Sequence, residues 1–331
     1  MKYYDLLTPP LELTGLAVKE KGKLWRLPED LICSVNEDIK SLGKHTAGAC
    51  VRFRTDSEQI ELKATLSGCV HHSHMAPSGH SGCDVYFDKQ FANAIRPEKE
   101  DQTYFEGISK RPFYQSRGVR DVQINLPLYN GVNDLVIGVE DGASVLPPTP
   151  FKIKKPVVFY GSSITQGACA SKPGNAYFSM LSRALDFPVY CLGFSGSAHG
   201  EKNMAEYIAD LSMSAFVMDY DHNDGMPELL GRHEPFFKII REKNPDLPII
   251  LPSRGDFERK AENRELREVV RATYNNAVAA GDKNAYFIDG ETYFGKKDRG
   301  CFTVDGVHPT DLGMWAMAQT MKPILKKILY K

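Results

Sequence analysis

The sequence predicts an α/β protein in two parts, an all-β sandwich over residues 1–150 and a helix-covered parallel sheet over 151–331. Three observations predict it. Between Ala49 and Val139 the apolar residues alternate with period two, and beyond Val157 short apolar runs take turns with longer helical stretches. The two regimes meet at Leu146-Pro147-Pro148-Thr149-Pro150, a stiff proline-rich connection of the kind that joins compact units, placed at 146–155. A chain of 331 residues with 42% hydrophobic content also has enough apolar material for two cores.

The first 48 residues show no clear period and read as edge strands and turns. From there Val51 and Phe53, then Ile60, Leu62, Ala64 and Leu66, then Val85 and Phe87 alternate with polar residues. Val122, Ile124 and Leu126 continue the pattern, and after Tyr129-Asn130-Gly131 come Leu135, Ile137 and Val139. Alternation separated by turn residues indicates antiparallel strands with one wet face.

Past the linker, Val157 to Tyr160 reads as a strand, Ala176 to Leu185 as a helix, Pro188 to Leu192 as a strand and Asn203 to Ala209 as a helix. Strands follow at Ala215 to Met218, Pro248 to Leu251 and Ala285 to Ile288, with charged helices at Pro227 to Lys243 and Lys260 to Ala280 between them. Repeated β and α of this kind builds a parallel sheet with helices on both faces. A last helix from Thr310 is expected to bury Leu312, Trp315, Ile324 and Ile328 and to kink at Pro323.

Composition excludes several classes. A net charge of −1, a pI near 6.8 and the lack of a Lys/Arg block leave no field to gather phosphates, so nucleic acid is not an expected partner. No stretch approaches the roughly 20 apolar residues of a membrane span, and Met1 to Pro10 lacks the features of a secretory signal. The expectation is a soluble chain, cytoplasmic as given and periplasmic or secreted if a signal has been trimmed. Seven cysteines without a C-x-x-C pair point to reduced thiols rather than a disulfide framework, with Cys191 as a buried small hydrophobe.

The chemistry gathers in four segments that each follow a predicted strand, where the loops of a parallel sheet converge. Gly161-Ser162-Ser163-Ile164-Thr165-Gln166-Gly167 is a polar turn that lacks the lysine of a phosphate loop, the G-x-G-x-x-G of a dinucleotide site and the G-x-S-x-G elbow. Asp305-Gly306-Val307-His308 can cap the last helix. Alternatively, its three-residue offset lets Asp305 fix the His308 tautomer while the other ring nitrogen faces Ser163. Gly193-Phe194-Ser195-Gly196-Ser197 is a flexible loop or, through the Gly196 N–H, part of an oxyanion site. Ser195 is a rival nucleophile with no second Asp-x-x-His to serve it. Within Asp219-Tyr220-Asp221-His222-Asn223-Asp224, the neutral amide of Asn223 suits a developing alkoxide better than a carboxylate does. His71, His72, His74 and His80 form another cluster, whose spacing fits no tetrahedral metal pattern and whose Ser, Pro and Gly neighbours describe an exposed loop at the substrate rim.

These blocks resemble the SGNH (GDSL) hydrolase family. Gly161-Ser162-Ser163-Ile164 is similar to its first block, Gly196 to its second-block glycine, Asn223 to its third-block asparagine, and Asp305 with His308 to its D-x-x-H block. Ser162 stands where many members carry Asp, and His222 where a small residue is usual. The resemblance implies a three-layer, flavodoxin-like parallel sheet, here preceded by a jelly-roll-like sandwich similar to that of bacterial carbohydrate esterases. It implies a triad of Ser163, Asp305 and His308 and an oxyanion hole of Ser163, Gly196 and Asn223, with no metal and no organic cofactor. The expected activity is hydrolysis of carboxylic esters through an acyl-serine, with acetylated oligo- or polysaccharide as substrate. The alternatives are a lipid or thioester acyl hydrolase with the same triad, and an inactive carbohydrate-binding protein.

Overall fold

Strict alternation along Gln59–Leu66, where Ile60, Leu62, Ala64 and Leu66 are buried and their neighbours are not, sets the register of the first half. In the computed structural model, which describes all residues except 257 and 258, this strand sits inside a four-stranded antiparallel sheet. The sheet runs in the order Lys2–Asp5, Val132–Val139, Gln59–Leu66, Tyr104–Lys110. A second antiparallel sheet runs Val145–Leu146, Cys50–Thr55, Arg120–Asn125, Cys83–Phe87, Gln90–Ile95, with Glu12–Thr14 also paired to Cys50–Thr55. Their inner faces meet in one core that includes Phe53, Leu62, Val85, Ile124 and Ile137.

In the second half the strands Val157–Gly161, Val189–Gly193 and Ala215–Asp219 are buried at every position, as strands covered on both faces must be. Five parallel strands run in the order Val189–Gly193, Val157–Gly161, Ala215–Asp219, Ile249–Pro252, Ala285–Ile288. This is the flavodoxin-like order 2-1-3-4-5, which places its switch point beside the end of Val157–Gly161. Phe159 and Val217 point to one face, where helices Tyr177–Leu185 and Asp311–Leu329 pack. Val158, Tyr160 and Phe216 point to the other, covered by Lys202–Asp210, Met226–Lys243 and Glu262–Ala279.

The unperiodic N-terminal stretch holds more than edge strands. Two short helices, Glu29–Ser34 and Glu37–Leu42, bring Leu31, Ile32 and Ile39 into the same core as Val158 and Tyr160 of the parallel sheet. Arg26, fully buried just before them, donates to the carbonyls of Cys191 and Gly193 at 3.2 and 2.6 Å and to His45 O at 3.0 Å. A guanidinium with its donors placed on main-chain carbonyls satisfies an otherwise costly buried charge.

Two expectations are corrected. The last helix buries Met314, Met317, Ala318, Met321, Leu325 and Ile328, whereas Leu312 and Trp315 are 45% and 52% exposed. The apolar stripe at i, i+3, i+4 and i+7 lies one position away from the bulky residues, because the facing helix Tyr177–Leu185 accepts the flexible methionines. Pro323 lies inside this helix and is exposed. The histidine segment is not a uniformly exposed loop, since Pro77–His80 forms a helical turn and His80 is 3% exposed, bonded through Nδ1 to Ser81 Oγ at 2.7 Å. Among the described residues no helix is long and apolar enough to cross a membrane.

Candidate active site

The strand Val157–Gly161 ends against the neighbouring strand, and Ser162 N–H donates to Asp219 O at 3.2 Å. Ser162 is extended and its Oγ accepts from Ile164 N–H at 3.2 Å, so it caps the short helix Ser163–Gln166. Ser163 is thereby the first helical residue, and its N–H has no acceptor within the helix. The helix lies close on the sheet because Gly193 offers no side chain, and a Cβ there would sit 2.2 Å from Gln166 N. These two local features fix the Ser163 hydroxyl at the carboxyl end of the sheet.

His308 reaches it from the loop after the last strand. Ser163 Oγ lies 2.9 Å from His308 Nε2, and His308 Nδ1 lies 2.7 Å from Asp305 Oδ2. Asp305 Oδ1 also accepts the N–H groups of Val307 and His308 at 2.9 and 2.8 Å, while Thr303 and Pro309 form a β-bridge across the base of the loop. Arg259 Nη1 donates to Asp305 O at 2.8 Å. Burial alone would raise the Asp305 pKa, but the His308 N–H, the His308 ring and the Val307 N–H outweigh it and hold the carboxyl at about 2. An ionised Asp305 keeps the proton of neutral His308 on Nδ1 and turns the Nε2 lone pair toward the hydroxyl.

Gly196 sits in a turn at φ +67°, a left-handed conformation that glycine adopts without strain, and is exposed with open space where a Cβ would stand. No main-chain acceptor takes its N–H among the described residues. The turn is held from two sides. Gln166 Oε1 accepts from Ser195 N–H at 3.0 Å, while Asn223 Nδ2 donates to Phe194 O at 3.1 Å and Ala198 O at 3.2 Å. Asn223 is thus brought to the glycine turn with its amide resting on two carbonyls.

His222, next in sequence, is buried with Nδ1 3.7 Å from Asp256 Oδ1, and burial lowers its pKa to about 3. It is neutral at physiological pH. In the histidine cluster the His72 ring packs edge to face on both His74 and His80. His71 contacts Glu100, and His74 alone of the four has its ring beside His308, with centroids 5.7 Å apart.

Three contributors carried no sequence signal strong enough to find them. Gln166 lies three residues after Ser163 on one helical turn, where a buried polar side chain must find partners; its Nε2 reaches His45 Nδ1 at 3.2 Å and Leu128 O at 3.1 Å. Tyr129, at the end of a sandwich turn, donates to Ser163 O at 3.1 Å. Cys169 is buried near Asp305, and burial, then the Asp305 charge, pushes its thiol up to about 12. The site is therefore built from both halves of the chain. Chemically it is a hydroxyl hydrogen-bonded to an imidazole that a carboxylate orients, beside the Ser163 and Gly196 N–H groups, for which no acceptor is found among the described residues.

Residues 154–326 match the family described as GDSL-like Lipase/Acylhydrolase family, and residues 1–145 match the "N-terminus of Esterase_SGNH_hydro-type". Among solved structures, the chain is similar to a putative GDSL-like lipase from Bacteroides ovatus at 31% identity and TM-score 0.85, covering 99% of this chain and 98% of that one. It is also similar in fold to the salicylyl-acyltransferase SsfX3 from a tetracycline biosynthetic pathway, at 21% identity and TM-score 0.80 over 98% and 97% of the two chains. An active-site mutant of a family two carbohydrate esterase from Clostridium thermocellum aligns at 14% identity and TM-score 0.62 over 86% and 93%. No curated protein sequence matches the chain.

Proposed function

Because this chain belongs to the GDSL-like lipase/acylhydrolase family, we propose that it is a serine esterase whose substrates are O-acetylated carbohydrates. The observation that carries the proposal is the hydrogen-bonded series Ser163, His308, Asp305. Ser163 Oγ attacks the ester carbonyl as its proton passes to His308 Nε2, and Asp305 stabilises the imidazolium that forms. The proton then goes to the leaving alcohol. Water, deprotonated by the same nitrogen, releases the acid from the acyl-serine.

The carbonyl oxygen gains charge in both steps, and the N–H groups of Ser163 and Gly196 are the donors for it. Asn223 supplies the third donor when one of its two carbonyl contacts gives way, and until then it holds the glycine turn in place. A pocket of about 300 Å³ lies beside the Asp305 loop, lined by Arg259, Arg299, Thr303 and Gly306 among others, and we take it as the place for a carbohydrate leaving group. The likeness in fold to a carbohydrate esterase agrees with this reading.

Acetate release from a panel of acetylated oligosaccharides, run beside acetyl, butyryl and octanoyl esters of one alcohol, tests the substrate class. We expect the acetyl compounds to give the highest kcat/KM. Preference for the longest chain would instead assign a lipid hydrolase, and failure of a fluorophosphonate to label the protein would leave only a binding role.

A further inference from the structure

His74, Cys169 and His308 each present a ligand-capable atom, and these atoms lie within 4.8 Å of one another. They arrive from three separate places: the sandwich loop before Pro77–His80, the turn after the Ser163 helix, and the loop after the last strand. The His74 and His308 rings are tilted by 42° at 5.7 Å, and Cys169 Sγ sits 3.5 Å from His74 O. Cys169 holds this place with φ +65°, a conformation uncommon for a residue with a side chain. The acyl-transfer chemistry uses neither the His74 ring nor the Cys169 thiol.

Two imidazoles and one thiolate are the donor set that selects zinc and its softer relatives over magnesium or calcium. We propose that His74, Cys169 and His308 form an inhibitory site for a thiophilic divalent cation, zinc foremost. Tetrahedral zinc with ligand bonds of about 2.0–2.3 Å needs its ligand atoms closer than 4.8 Å, by roughly 1 Å, and His74 on its exposed loop can supply the movement. As the Sγ–metal bond forms, the thiol proton leaves to solvent.

Inhibition follows from what His308 already does. Its Nδ1 is held by Asp305 and its Nε2 by Ser163, so an ion that takes either nitrogen displaces one of these partners. Bound at Nε2 it blocks proton transfer from Ser163, and bound at Nδ1 it removes the orienting carboxylate. The site is independent of which ester is the natural substrate.

Two measurements test it on the full-length protein. The first is hydrolysis of a small acetyl ester in chelator-buffered zinc, each variant being compared with its own metal-free rate. Zinc should inhibit reversibly, and His74→Ala and Cys169→Ser should each raise the inhibitory concentration by at least about 10-fold, since even outer-shell changes cost that much affinity. The second is cadmium titration followed by the ultraviolet thiolate-to-metal band, which needs no activity. The band should appear in the natural protein and in Ser163→Ala and vanish in Cys169→Ser. Unchanged zinc sensitivity in both ligand variants, absence of inhibition, or cadmium binding without the band would overturn the site. An inactive protein that still gave the Cys169-dependent band would sink the esterase reading alone.

Discussion

A hydroxyl becomes a nucleophile only where a base can take its proton at the moment of attack, and 2.9 Å between Ser163 Oγ and His308 Nε2 meets that condition. Ser163→Ala should therefore lose the acyl-enzyme altogether. Asp305→Asn should cost up to about 10⁴ in kcat, because the amide favours the wrong tautomer of His308. Since Asp305 is held at about 2, it stays ionised through the working range, so its own protonation should leave no limb in a kcat/KM profile above about pH 3. For Asn223→Ala we expect a loss on the order of 10²–10³ in kcat, the effect of one oxyanion donor, together with a lower melting temperature because the Phe194 and Ala198 carbonyls lose their partner. Retention of nearly full kcat would confine Asn223 to holding the turn. At this scale the sequence was legible where a motif couples residues through the backbone, as Asp305 and His308 are coupled by their loop. It was silent on Tyr129 and Cys169, whose contacts are made only after distant segments pack.

Elements place these residues. The strand ends at Gly161, Gly193 and Asp219 bring three loops to one edge, and the period-two strands and most helices could be read from apolar spacing alone. Spacing failed where the partner decides the face. On the last helix Leu312 and Trp315 looked like core residues, yet the stripe of small and flexible side chains faces Tyr177–Leu185. It failed again for Glu29–Ser34 and Glu37–Leu42, which are too short to show a period. Gly193→Ala tests how the Ser163 helix is seated. Its methyl group would meet the Gln166 backbone, which cannot move like a flexible side chain, so we expect a destabilisation of about 1–3 kcal/mol in denaturant titration and a drop in kcat from the displaced hydroxyl.

At the scale of the molecule, the two halves share a core boundary that chain order does not reveal. Residues 151–331 produced alone would lose Leu31, Ile32 and Ile39 from a core they share with Val158 and Tyr160 and would leave the Cys191 and Gly193 carbonyls without Arg26. Such a fragment should aggregate or lack cooperative melting, whereas a folded, active fragment would show that the sandwich is dispensable. Stability should also depend on pH through the buried end of the central strand. Burial, then the Asp221 charge, raises Asp219 to about 8 against hydrogen bonds from Tyr177 and Thr165. A carboxyl whose folded pKa is raised favours the fold while protonated, so this contribution is full below the ordinary carboxylate range and is lost as pH climbs through about 8. Melting temperature should fall over that window, and less steeply in Asp219→Asn. The account as a whole is tested most directly by rapid quenching of the protein with an activated acetyl ester, followed by peptide mass spectrometry. It predicts one acetyl group on Ser163, absent when His308 is replaced by Ala; acetyl on Ser195, or none on any serine during turnover, would contradict it.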